Sequence, residues 1–191
     1  VKEKGEIGQM VTAMKEIPAV LGRVIEQANL LANDIASGSL RNRLDAKSFQ
    51  GSFSTLAVGV NAVGDAFMGL LDALVLPIMA CDKENKILFL NRAGQEALGG
   101  DFVKEQCRGH LNASDCGTDK CFGNCAMSRN GAYSGETEIT VRGKRMDVSV
   151  AAFPLHNLKK EVVGYVEILT DLTEMKARQN AVLRAVADAS Q

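Results

Sequence analysis

With 22 basic and 23 acidic side chains among 191 residues and a net charge of −1, the chain has no basic surplus to hold a polyanion, so nucleic acid is excluded as a partner. A hydrophobic share of 46% suits one or two small domains, and an aromatic share of 5% without Trp fits a chain built partly of coiled coil. The apolar run around Leu70 to Cys81 is broken by Asp72 and Pro77, short of the roughly 20 residues a bilayer demands, and no crossing segment is expected. Lys2, Glu3, Lys4 and Gly5 make a polar opening unlike a secretory signal. The pattern starts and stops within helical periodicity, which reads as a piece of a longer protein whose membrane spans lie elsewhere.

The first third carries two heptad ladders. Ile7, Met10, Met14, Ile17, Leu21, Val24, Ala28, Leu31 and Ile35 form one; Phe53, Leu56, Val60, Val63, Phe67, Leu70 and Leu74 form the other. Steps of three and four give a stripe too narrow for two helices of one chain to bury, and predict a parallel homodimer. Residues 1–17 read as helix. Pro18 reads as a kink or as the first turn of a new helix stacked on the old one, because proline is tolerated there and costs about 3 kcal/mol in a helix interior. That helix spans about 18–37 and stops at Gly38. A polar connector follows over 38–52, with Leu40 and Leu44 expected to pin it to the helices. Gly51 or Ser52 caps a second helix over about 53–75.

From Leu76 the period changes to that of strands. Strands are predicted at 76–81 and 87–90, a helix over Ala93–Leu98 ended by Gly99 and Gly100, irregular chain or short helices over 101–131, and strands near 135–142, 145–154 and 162–170. The order implies a five-stranded antiparallel α+β domain. Helical periodicity returns at Leu172, Met175, Gln179, Val182, Val186 and Ala189.

Pro18, the Gly38-Ser39-Leu40 stop, the connector residues Leu40 and Leu44, and Val60-Asn61-Ala62-Val63 resemble a HAMP domain, the parallel four-helix linker of bacterial receptors. The acidic opening of the HAMP second helix is missing at Gly51-Ser52-Phe53, yet Gly5-Glu6-Ile7-Gly8 resembles it, which implies that residues 1–17 end an upstream HAMP. Residues 76–172 resemble a PAS sensor domain through Asn91-Arg92-Ala93, Gly164 and Asp171-Leu172-Thr173. The implied architecture is a HAMP-type parallel four-helix coiled-coil dimer over 18–75, a PAS domain over 76–172, and the start of a signalling helix over 173–191. That order resembles a methyl-accepting chemotaxis protein. The implied setting is the cytoplasmic portion of an inner-membrane receptor, partnered by a chemotaxis kinase and a coupling protein, with this segment itself soluble. Pro18, Gly38, Leu40, Leu44, Asn61, Asp171 and Thr173 are the expected signal-coupling positions. A sensor histidine kinase is the nearest rival, although no His follows Asp171.

Candidate sites divide into two groups. Met146, Val148, Val150 and Ala152 alternate with Asp147, Ser149 and Ala151, so one strand face is apolar. In a PAS fold such a face lines a small-molecule pocket, joined by Met79, Phe89, His110, Met127 and Ile168, or else forms an ordinary packed core. The second group is Cys107, Cys116, Cys121 and Cys125, which read as reduced thiols, a redox disulfide or a metal site; the tight Cys-x-x-Cys spacing of strong metal motifs is absent. Cys81 stands apart. No cofactor is the first expectation, with haem through His110 or a metal on the cysteines as the alternative; covalent c-type haem lacks its motif. No nucleophile motif or phosphate loop is present, and no enzymatic activity is expected.

Overall fold

Two long helices lead into a single antiparallel sheet in the computed structural model, which describes residues 5–189. The elements are α1 (Glu6–Ala36), a 3₁₀ turn (Ala46–Ser48), α2 (Ser52–Asp72), β1 (Ile78–Asp82), β2 (Ile87–Leu90), α3 (Arg92–Leu98), α4 (Arg108–Leu111), α5 (Phe122–Arg129), β3 (Tyr133–Val141), β4 (Lys144–His156), β5 (Val162–Asp171) and α6 (Thr173–Ala189). The expected strands are all present within a few residues, and the sheet order is β2-β1-β5-β4-β3 with every pairing antiparallel. Residues 1–4 of the expected upstream helix, and the side chain of Ile7, lie outside the described residues.

Of the two readings of Pro18, the start of a new helix is not what forms. α1 passes through Pro18 as a single helix of 31 residues. Pro18 is exposed, so water can satisfy the Met14 carbonyl that loses its intrahelical donor. The helix then ends as its sequence predicts. Ser39 N–H bonds the Asp34 carbonyl at 2.8 Å and Gly38 N–H bonds that of Ile35 at 3.1 Å, closing a Schellman cap around Gly38 at φ +88°. A side chain at Gly38 would also sit 3.0 Å from Leu155 and 3.3 Å from Ala80 on the sheet, so helix end and sheet touch through this glycine.

α1 and α2 run parallel. Phe53 at the start of α2 and Phe49 of the connector stand beside Val20, midway along α1, whereas Ile35 and Leu71, near the two C-terminal ends, meet at the sheet. The connector returns antiparallel between them and is held by Asn61, which accepts from Leu44 N–H at 2.8 Å and donates to its carbonyl at 2.9 Å. Arg43 lies over Gly64, donating to Asp65 at 2.8 Å and to the Leu40 carbonyl at 2.7 Å. Leu44 is buried between the helices as expected, and Leu40, clustered with Ile35, Met68 and Leu71 of the helices, also packs against Ala80 and Phe89 of the sheet. By length and apolarity α2 does meet the requirement for a membrane span, against the expectation from the run at Leu70–Cys81. Leu56, Phe67 and Leu74 of its ladder are exposed, Val63 and Leu70 at 70% and 69%, and on α1 Met10, Met14, Ile17 and Leu21 are exposed as well. Only Val24, Ala28, Leu31 and Ile35 on one side, and Phe53, Ala57 and Val60 on the other, bury the stripe within one chain. The four-helix coiled coil would need a second copy.

The sheet has two apolar faces. Met79, Cys81, Tyr165, Leu169, Val148 and Val150 point inward to α4 and α5, where the main core lies. Ala80, Phe89, Leu155 and Val166 point outward and are covered by Leu40, Met68 and Leu71 of the helical layer. Where α2 enters the sheet the chain is fastened by one fully buried amide. The Asn91 carbonyl oxygen accepts from Ile78 N–H at 2.9 Å and Gly94 N–H at 2.8 Å, while its NH₂ donates to the carbonyls of Leu71 and Leu76, each at 3.0 Å. Asp72 adds a bond from Arg92 N–H at 2.7 Å. Asn91→Ala would strand these buried groups and is expected to cost about 2–4 kcal/mol; urea unfolding of the two proteins, with an unchanged far-UV spectrum for the variant, measures it.

Candidate functional site

Two cavities lie along the inner face of the sheet. The larger, about 490 Å³, is apolar and is walled by Val75, Leu76, Pro77 and Ile78 where the chain enters the sheet, by Gly94, Ala97 and Leu98 of α3, and by Ile139, Met146, Val148, Leu169, Thr170 and Asp171 where it leaves. The size falls in the range of small-molecule sites. The smaller, about 30 Å³, is mostly apolar, with Leu111, Phe122, Ile139, Val150 and Leu169 on its walls beside Cys107, Cys116, Cys121, Thr137, Tyr165 and Glu167. It has room for one or two water-sized molecules.

The residues expected around a pocket separate. Met79 and Val148 line the large cavity, Val150 lines the small one, and Met127 packs at the edge of the same core. Phe89 and Ile168 are displaced from this set, because strand alternation turns them to the other face: Phe89 pairs with Ala80, and Ile168 falls between the inward residues Glu167 and Leu169. His110 is displaced too. Its ring stacks on Phe102 at 3.7 Å and its Nε2 bonds Glu105 at 2.9 Å, and it lines neither cavity. That placement does not fit an axial haem ligand. Nor do the cysteines fit a metal: among the described residues no three Cys, His, Asp or Glu side chains converge, and Cys125 instead donates to the Asp119 carbonyl at 3.2 Å. All five thiols are free.

The structure adds residues that the motifs did not mark. Tyr165, fully buried, lies against Gly123 of α5, where an added Cβ would come within 2.3 Å of its ring. Its hydroxyl donates to Asn85 at 2.8 Å and stands 3.6 Å from the Cys107 sulfur. Glu167 is buried two residues along the same strand. Burial pushes its carboxyl up to about 8, the nearby Cys107 adds to the shift, and the Gly123 N–H offsets part of it. Parity was the available signal for both residues: in Tyr165-Val166-Glu167-Ile168-Leu169 the acid shares the inward face with Tyr165 and Leu169.

At the exit, Asp171 accepts from Thr173 N–H at 2.8 Å and opens α6. Hydrogen bonds from the Thr173 side chain and backbone hold its carboxyl below the usual carboxylate range. Thr173 Oγ1 accepts from Asp147 N–H at 3.2 Å, Leu172 N–H bonds the Asp147 carbonyl at 2.8 Å, and Lys176 joins Glu136 at 2.8 Å and Asp147 at 3.0 Å. The first turn of α6 is thereby tied to the β3–β4 hairpin.

No family model matches the chain, and no curated protein matches it. Among solved structures, it is similar to the PAS domain of a protein from Colwellia psychrerythraea, with 16% identity and a TM-score of 0.51 over 59% of this chain and 98% of that one. The PAS domain of BvgS from Bordetella pertussis aligns with 19% identity and a TM-score of 0.44 over 66% and 96%. That of an HTR-like protein from Haloarcula marismortui aligns with 14% identity and a TM-score of 0.48 over 59% and 93%. The sheet and its flanking helices have the PAS fold.

Glu167 dictates a pH dependence. Between about pH 4.5 and 8 the unfolded chain has released this proton and the folded chain still holds it, so stability falls as pH rises through that window. Glu167→Gln keeps the shape and the acceptor for Gly123 but removes the linkage. The stability of the native chain relative to this variant is expected to drop by up to about 1.4 kcal/mol per pH unit, read from urea unfolding at pH 5, 6.5 and 8.

Proposed function

We propose that the chain is the HAMP–PAS segment of a chemotaxis receptor, sensing a small apolar molecule and relaying the result along paired helices. One observation carries the reading: the large apolar cavity is walled at once by the link from α2, at Val75 to Ile78, and by the exit strand at Leu169 to Asp171. An occupant touches both covalent connections of the sheet to its helices. Filling the cavity favours one position of these links over another, and a few kcal/mol of differential contact suffices to shift the population.

The relay reads in either direction through two contacts. Asn91 and Asp72 join the end of α2 to β1 and α3, and Asp171 with Thr173 joins β5 to α6. The exposed ladders on α1 and α2 are the surface on which a second copy lies in parallel, completing a four-helix layer of HAMP type. In this reading the segment sits on the cytoplasmic side of an inner-membrane receptor. Its output helix feeds a kinase and a coupling protein, and it performs no chemistry of its own.

Two experiments test it. Native mass spectrometry of the purified chain is expected to give a dimer carrying a small-molecule mass. Val148→Trp, which fills the cavity, should release that mass while leaving the dimer intact; the same mass retained by this variant would refute the pocket. Sedimentation of the double variant Val63→Glu, Leu70→Glu is expected to show monomer at concentrations where the parent chain is dimeric, by a loss of about 100-fold or more in association. An unchanged dimer would place the interface elsewhere.

A further inference from the structure

Cys81, isolated in the sequence, is in the fold a direct neighbour of Cys107. β1 pairs Cys81 with Tyr165 across β5, and the loop before α4 brings Cys107 to the same spot through a bond from Cys107 N–H to the Asn85 carbonyl at 3.0 Å. Cys107 Sγ stands 3.6 Å from the hydroxyl of that same Tyr165, and both cysteines are buried in the main core. Cys107 also faces the 30 Å³ cavity; Cys81 does not. One thiol of the pair thus meets the small cavity, and the other lies off its wall.

The surroundings differentiate the two. Hydrogen bonding from Cys81, and then from Tyr165, brings Cys107 down to about 7, while the same interaction and burial push Cys81 far up. The Tyr165 hydroxyl has one proton. While it serves Asn85 the Cys107 thiol donates to the phenol oxygen, and on loss of the thiol proton the hydroxyl can turn to the sulfur. Burial raises Cys116, to about 11, and Cys121 on the same cavity wall, leaving Cys107 the nucleophile of the set.

We propose that Cys81 and Cys107 form a thiol–disulfide switch operated by hydrogen peroxide entering the small cavity. The Cys107 sulfur attacks one peroxide oxygen; the O–O bond breaks, an S–O bond forms, and the departing hydroxide takes the thiol proton as water. The Cys81 sulfur then attacks the sulfenic sulfur; the S–S bond forms, the S–O bond breaks, and the second hydroxide leaves as water with the Cys81 proton. Two thiols are oxidised by two electrons and one peroxide is reduced to two waters. The bond would pull β1 toward α4 at the strand irregularity between Ala80 and Cys81, and Ala80 is the residue against which Gly38 and Leu40 rest. The redox state of the core is thereby coupled to the end of α1, independently of any occupant in the apolar cavity.

The test is hydrogen peroxide titration of the folded, reduced full chain followed by intact mass and peptide mapping. The expected result is loss of two hydrogens mapped to a Cys81–Cys107 disulfide, retained in the triple variant Cys116→Ala, Cys121→Ala, Cys125→Ala. In Cys81→Ala the sulfenic acid should persist and be trapped on Cys107 by dimedone added in guanidinium after the peroxide is removed; in Cys107→Ala peroxide consumption should fall about tenfold or more, in line with the loss of the one activated thiol. Bulky cumene hydroperoxide should react at least about tenfold more slowly than hydrogen peroxide, since the cavity admits only water-sized molecules. A disulfide mapped to Cys116–Cys121, loss of reaction in the triple variant, equal rates for the two peroxides, or reaction only after unfolding in guanidinium would overturn the proposal.

Discussion

One buried carboxamide ties the end of α2 to the sheet. Asn91 has one acceptor oxygen and two N–H donors, and all are used on backbone groups from four segments: the end of α2, the link to the sheet, the first residue of β1 and the first turn of α3. The site is completely buried, so no water can replace a lost bond, and each partner depends on the side chain being an amide of this length. A carboxylate would face carbonyls, and an aliphatic group would leave every partner unpaired. The same amide caps α3 and receives the end of α2, so α2, β1 and α3 meet at one side chain.

Around that joint the sheet works as a partition. Its outer face is in contact with the helical layer through Ala80, Phe89 and Leu155 against Leu40, Met68 and Leu71. Its inner face carries both cavities, one apolar and one lined by thiols, Tyr165 and Glu167. β1 belongs to both faces by simple alternation, with Ala80 outward and Cys81 and Met79 inward. Few positions are better placed to connect chemistry in the core with packing outside it, since a change in the position of one strand is felt on both sides at once.

Much of this was readable in the chain. The strands, the turn at Asp82–Lys86, the stop of α1 at Gly38 and the start of α6 after Asp171 follow from alternation, heptad spacing and cap residues, which are local properties. At Pro18 the sequence leaves a kink and a new helix start open, and one helix runs through it, because the cost of proline depends on whether water reaches the freed carbonyl. Leu40 is buried as its apolarity predicts, and its contact with Ala80 and Phe89 is set by the fold. Among the pocket candidates, Phe89, Ile168 and His110 were grouped by character, whereas strand parity and a stacking partner at Phe102 set their positions.

By itself the sequence determined which segments are helix or strand and where the chain turns, because those depend on periodicity and on backbone preferences of residues close along the chain. It also marks an apolar stripe along the first third, of which Met10, Met14, Val63 and Leu70 stay exposed in the single chain. Tertiary structure alone decided that Cys81 meets Cys107, that Glu167 loses its solvent and that Asn91 receives α2. Each of these joins residues separated by many positions or buries a titratable group beside a cavity. Distance and desolvation exist only once the sheet has closed over its helices.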